Sequence, residues 1–220
     1  MPLNSYDGLF DAILAWCNRR DTDTDFVLQI PTFITLAEQQ IFLDVPTLGT
    51  QEYVTGNFTI GNSTYPKPAL WGKTLTLSYT DFGNTVHVIE RISYEYGLQY
   101  NQNLRIGPPM YYTDYSYNYI QMFPAPDKAY PFQLAYYSKV TPLTVNNQTN
   151  WITQNAPDLL FYLSMSKAQM YLKNFQDSQI WEDKYKDRAK VLNDYDLSRL
   201  LDRTADITTK TIPSPSSSGV

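Results

Sequence analysis

Apolar positions recur at helical spacing toward both ends of the chain and alternate with polar ones through its middle. The most regular stretch, Trp151 to Leu201, predicts two long antiparallel helices. Asn155 serves as the expected N-cap, with Pro157 in the first turn and Asp158 at the capping-box position. Leu160, Ser164, Ala168, Tyr171 and Phe175 share a face that Leu159 and Leu163 widen. A break over residues 174–178 allows Asp177 or Ser178 to cap a second helix, whose face carries Trp181, Tyr185, Ala189, Leu192 and Tyr195. So short a connector forces the two helices antiparallel.

At the other end, Ser5 or Asn4 opens a helix with Tyr6, Leu9, Phe10, Ile13, Trp16 and Cys17 on its apolar face. Gly8 weakens it by roughly 1 kcal/mol relative to alanine. The carboxylates Asp21, Asp23 and Asp25 imitate half a calcium loop, but Phe26 and Thr32 stand where a glycine and a bidentate glutamate belong, so capping is the preferred reading. From Phe26 to Asp44 the spacing is helical again. Pro31 removes a backbone donor, which predicts a short turn ending near Ile30 and a fresh helix carrying Phe33, Ile34, Ala37, Ile41 and Phe42.

Between Thr50 and Val145 the period drops to 2, and strands are expected at Gln51–Thr55, Phe58–Ile60, Thr74–Tyr79, Thr85–Glu90, Tyr119–Phe123 and Gln133–Tyr137. Turn residues such as Phe82-Gly83-Asn84 separate them, and short connectors favour an antiparallel sheet. Residues 93–100 read equally as strand or helical turn. The expected class is α+β: an antiparallel helical bundle of two N-terminal and two long C-terminal helices, an inserted small antiparallel β domain, and an extended C-terminal tail. The boundaries are 1–49 and 151–203 for the bundle, 50–150 for the β domain and 204–220 for the tail. That tail ends in Pro, Ser and Gly and has too little apolar surface to offset ordering entropy by itself.

Composition then narrows the chemistry. A net charge of −5 argues against broad nucleic-acid binding through a basic surface. Cys17 is the single cysteine, which rules out an intramolecular disulfide, and on an apolar helix face it reads as an inert small hydrophobe. No secretory signal and no membrane-length apolar run is read, and the three Asn-X-Ser/Thr sequons, at Asn57, Asn62 and Asn147, count as chance matches. His87, the sole histidine, lies between Val86 and Val88, so two core valines would turn it to the opposite, half-exposed face. No catalytic set, metal ligand cluster or cofactor loop emerges. Nineteen tyrosines remain, eleven of them from Tyr94 to Tyr137. Tyrosine suits interfaces, and it equally suits a tyrosine-heavy core and rim.

The order of these features resembles a known family. Residues 30–41, IPTFITLAEQQI, precede a β insertion holding Pro109-Met110-Tyr111-Tyr112, then Ile120-Gln121-Met122-Phe123-Pro124-Ala125-Pro126, then Leu134-Ala135-Tyr136-Tyr137. Asn150-Trp151-Ile152 and Ala156-Pro157-Asp158-Leu159-Leu160 follow, leading to Ala168, Tyr171, Leu172 and Trp181. Up to about Leu201 this series resembles the head-to-tail adaptor (connector, head-completion) proteins of short-tailed bacteriophages. The resemblance implies a non-enzymatic virion protein without cofactors, made in the host cytoplasm and placed at the portal vertex. It implies a ring, of twelve copies by analogy, that joins capsid to tail beneath the portal protein. Its partners would be the portal, neighbouring copies, tail nozzle or tube proteins, tail fibres, and DNA passing through the lumen without sequence-specific contact, with no membrane involved.

Two surfaces are expected to serve assembly. Tyr111, Tyr112, Tyr115, Tyr117 and Tyr119 would form a subunit interface. Ile207, Thr209, Lys210, Ile212 and Pro213 would lie extended on the portal, since β-branched residues and prolines favour extended backbone. Rival readings are a tail-tube or baseplate component, a carbohydrate-binding module using the tyrosines, and a hydrolase built on two carboxylates.

Overall fold

Ser5 begins the first helix, α1 (Tyr6–Trp16), by accepting the Gly8 N–H on its hydroxyl. The computed structural model describes residues 3–45 and 50–209, with side chains beyond Tyr195 described only at Ser198. Among these residues the chain is mixed α+β, with six α-helices and one curled seven-stranded sheet. It divides into a helical unit, residues 1–48 with 142–220, and a β unit, Gly49–Thr141.

In the helical unit, α2 (Thr24–Asp44) runs unbroken through Pro31, correcting the expected break near Ile30. Phe26, Ile30, Phe33, Ile34, Ala37 and Ile41 are all buried on one face of this helix, whereas Pro31 is exposed. Burying that stripe outweighs one lost backbone hydrogen bond, and the proline carbonyl still accepts from the Thr35 hydroxyl at 2.9 Å. At 21 residues, α2 is also long and apolar enough to cross a membrane by length and composition, a correction to the reading of no such run. Seven of its residues are buried in the helical unit, as in a core helix.

The expected C-terminal hairpin begins one element earlier than its pattern indicates. Asn155 does not cap the helix that begins at Pro157, whose N-cap is Ala156 without a side-chain bond; Asn150 instead caps a short preceding helix, α4 (Trp151–Asn155), through a reciprocal box with Thr153. α5 (Pro157–Tyr171) follows with proline in its first turn. The chain then reverses into α6 (Phe175–Thr209), where Asn174 takes the capping position: its carbonyl accepts the Ser178 N–H and its side-chain oxygen the Asp177 N–H. Ser178 is buried and donates instead to the Ser166 carbonyl at 3.0 Å. Contacts Ser166–Ser178, Phe161–Trp181 and Asp158–Arg188 run backward along α5 as they run forward along α6, so the two are antiparallel. Trp181, Tyr185 and Ala189 are buried, as the spacing predicts. α6 continues helical to Thr209, which corrects the extended backbone expected from Thr204; acids and bases interspersed through 182–203 keep the helix going past the last apolar stripe.

The β unit holds β1 (Gln51–Asn57), β2 (Thr64–Pro66), β3 (Trp71–Thr80), β4 (Val86–Arg91), α3 (Tyr94–Tyr100), β5 (Tyr111–Thr113), β6 (Tyr119–Phe123) and β7 (Pro131–Ser138). The sheet order is β1-β7-β3-β4-β5-β6-β2. All pairs are antiparallel except β4 with β5, which is parallel because α3 carries the chain back between them. Phe58–Ile60 is not a strand; Phe58 is a core residue directly after β1. The two ends of the sheet approach each other there, since the Thr59 N–H donates to the Tyr65 hydroxyl and that hydroxyl donates to the Thr59 carbonyl. Phe58, Leu77, Tyr79, Ile89, Tyr112, Ile120, Met122, Tyr130, Leu134 and Tyr136 form the core.

Candidate assembly surface

β5, β6 and the loop between them position the tyrosines singled out in the sequence. Strand alternation divides them. Tyr112 points into the core at 3% exposure, so it drops out of the expected surface. Tyr111 is half-buried under α3, with its ring edge against Tyr100 and Tyr96 at 4.9 and 6.1 Å. Tyr115, Tyr117 and Tyr119 are exposed at 52, 68 and 45%.

The loop carrying Tyr115 and Tyr117 is built on one carboxylate. Asp114 lies between Lys67 and Arg91, at 3.0 and 2.7 Å. The Lys67 contact is at ion-pair distance but off the hydrogen-bonding direction at that oxygen. Lys67 also donates to the Ser116 carbonyl at 2.9 Å and sits 3.6 Å from the Trp71 ring centroid. Tyr117 meets Trp71 edge-on, and Lys139 both donates to the Tyr117 hydroxyl and lies over its ring. Tyr115 packs on Tyr94 at 5.3 Å. Cations held on aromatic faces by fixed partners make a preorganised loop rather than a loose one. Trp71, Tyr94, Tyr96, Tyr100 and Arg91 flank this surface and the largely buried Lys67 and Asp114 side chains support it, none of them indicated by the sequence reading. Only the clustering of aromatics with single charges between residues 67 and 117 could have signalled them.

α2 supplies a second surface that the reading missed. Leu28, Leu36 and Leu43 are exposed at 66, 46 and 76%, with Thr32 and Gln39 exposed among them at helical spacing. The signal was present: Glu38 is the only charge from Phe26 to Leu43, and it is buried. Exposed apolar stripes of this kind mark contact sites. Of the expected portal contacts, Ile207 and Thr209 fall within the α6 backbone, whereas Lys210, Ile212 and Pro213 lie outside the described residues.

Little here supports covalent chemistry. His87 does not oppose two core valines; Val86 and Val88 are each 64% exposed, because Leu77 and Ile89 claim the inner face and the period of 2 turns the valines out. His87 stacks on Tyr79 at 5.0 Å and its Nε2 contacts Asp81 at 2.9 Å. The other Asp81 oxygen accepts from Gly83 and Thr85 N–H, so the pair staples the β3–β4 turn. That set of bonds, the His87 contact first, holds the Asp81 carboxyl below its ordinary range. Cys17 is half-buried, and burial pushes its thiol up to about 11, where it is inert at neutral pH. A pocket of about 560 Å³ between β1 and β2 is lined mainly by Phe58, Tyr65, Leu77, Met122 and Phe132, and its one charged neighbour, Lys67, already serves Asp114. No group of three or more potential metal ligands occurs among the described residues.

The described residues thus present an exposed aromatic loop, an exposed apolar helix face and a turn-stapling histidine. No curated protein matches the chain. The family model described as SU10 adaptor protein matches residues 4–208, nearly the whole length. The chain therefore belongs to the SU10 adaptor protein family, structural components of bacteriophage particles placed at the head-to-tail junction.

Proposed function

We propose that the protein is a head-to-tail adaptor whose copies form a ring, of twelve by family analogy, beneath the portal. The match across residues 4–208 carries this reading. In it, the helices of the helical unit act as an antiparallel bundle, the ring joins portal to tail proteins, and DNA passes through the lumen without sequence-specific contact. A ring needs a heterologous interface, in which one face of a protomer meets a different face of its neighbour. The Tyr115–Tyr119 loop and the leucine face of α2 are two such unlike surfaces.

The test is the assembly itself. Mass photometry and two-dimensional image averages of the purified protein are expected to give closed rings, and a monomer at every accessible concentration would overturn the reading. Replacing Tyr115, Tyr117 and Tyr119 together by serine is expected to leave the protomer folded, since all three are exposed. Ring dissociation should rise at least tenfold, the equivalent of about 1.4 kcal/mol. Portal attachment has its own test. Removing Lys210–Val220 is expected to spare rings and to abolish their binding to portal-bearing heads; unchanged binding would move the portal contact to the helical unit.

A further inference from the structure

One buried ionisable group serves none of these surfaces. Glu38, in the middle of α2, is 4% exposed. Its two carboxyl oxygens receive the Leu143 N–H at 3.2 and 3.3 Å, and one of them receives the Asn150 side-chain N–H at 2.6 Å. Leu143 lies at the start of the segment Pro142–Asn150, by which the chain returns to the helical unit. Asn150 closes that segment and caps α4, accepting the Thr153 N–H while its own N–H donates to the Thr153 hydroxyl. Gln148, between them, accepts the Tyr6 N–H at 2.8 Å and so holds the start of α1. One carboxyl group thus gathers the anchor points of α1, α2 and α4.

We propose that Glu38 is a proton-operated clasp on Pro142–Asn150: protonated, it stays buried and the segment is held; ionised, it draws water in and the segment opens. Among the described residues no cation is bonded to the ionised form. Pro142–Asn150 and α4 contain no charged residue. On α5, Lys167 is held by the Gln40 side chain and Asp158 by Arg188 of α6. On α2 itself, Asp44 accepts from the Tyr185 hydroxyl of α6, and Asp25 lies in the first turn. α1 contributes only the acids Asp7 and Asp11. Burial is accordingly the largest influence on Glu38, lifting its carboxyl to about 7 from an ordinary 4.5, while the Leu143 and Asn150 bonds pull downward without overcoming it.

The direction of the pH effect follows. An open segment leaves Glu38 in water, where it holds its proton only below about 4.5; the closed one holds it up to about 7. Closure is fully supported below 4.5 and is lost as pH rises through 7, the opening constant growing about tenfold per pH unit between these limits and levelling above them.

Hydrogen exchange by mass spectrometry on the full chain between pH 4.5 and 8 tests this, reading the peptide over Pro142–Asn150 and dividing out the intrinsic exchange rate. The wild-type opening constant should rise steeply to pH 7 and then flatten. In Glu38→Gln, which keeps an acceptor for Leu143 and cannot ionise, it should be independent of pH. The same slope in both proteins, or none in the wild type, overturns the proposal. Should the variant fail to fold, carboxyl NMR of wild-type Glu38 decides instead: a midpoint near 7 supports the clasp and one near 4.5 overturns it.

Discussion

Replacing Trp181 by alanine is expected to cost the helical unit about 3–5 kcal/mol, the range for truncating a buried large aromatic. Trp181 is 9% exposed and packs against three rings from two other helices: Trp16 at 5.5 Å, Phe161 at 5.7 Å and Tyr162 at 5.9 Å. Its loss removes the large apolar area shared by α1, α5 and α6 and leaves a void that three aromatic edges cannot close. Against a typical total stability of about 5–15 kcal/mol, that is enough to unfold a marginal unit. Urea unfolding followed by far-ultraviolet circular dichroism is the measurement, with the midpoint shifted and the slope kept. Trp181→Phe should retain the edge contacts and lose less than half as much. A loss below 1 kcal/mol in the alanine variant would show that the three-ring contact is incidental.

The second large effect is expected from adding a single methyl group. A Cβ on Gly97 of α3 would lie 2.4, 2.6 and 2.8 Å from three carbons of the Phe123 ring. Real Cβ atoms do not approach so closely, so Gly97→Ala must push α3 off β6 or drive Phe123 into the core. Overpacking of this kind typically costs about 1–3 kcal/mol. The residue is needed for close approach, not for unusual backbone angles, because it sits inside a helix capped by Ser93. Shortening the ring should therefore rescue the variant: Gly97→Ala with Phe123→Leu is expected to be more stable than the sum of the two single losses, and strict additivity would count against the contact.

How much of this was legible in the sequence depended on length and on competition for the inner face. The stripes of α2, α5 and α6 could be read because many turns repeat the same spacing. β2 and β5, three residues each, are too short for a period of 2 to register, and they were missed. β4 was recognised and turned inside out: Val86 and Val88 look like core residues beside a histidine until Ile89 and Leu77 pair across the ladder. Pro31 marks a break by local rules, whereas tertiary burial of the α2 stripe keeps the helix continuous. The candidate surface is half legible. Counting tyrosines locates the loop, but excluding Tyr112 from it requires the strand phase, and the Asp114 ion pairs join residues 23 and 47 positions apart that no local pattern connects.

The division into two units also divides the charge. The β unit carries six acidic side chains, Glu52, Asp81, Glu90, Glu95, Asp114 and Asp127, and six basic ones, Lys67, Lys73, Arg91, Arg105, Lys128 and Lys139. The whole formal net charge of −5 therefore belongs to the helical unit. In a ring, like charge would repeat from copy to copy through the helical units alone, while the β units would add no net charge. Ionic strength then separates the two kinds of contact: the screening length shortens from about 10 Å at 0.1 M to about 3 Å at 1 M. Added salt would relax the repulsion among helical units and leave the aromatic contacts of the tyrosine loop nearly unchanged. Rings held through the tyrosine loop should persist, or grow firmer, in concentrated salt, where an adaptor held by opposite charges would fall apart.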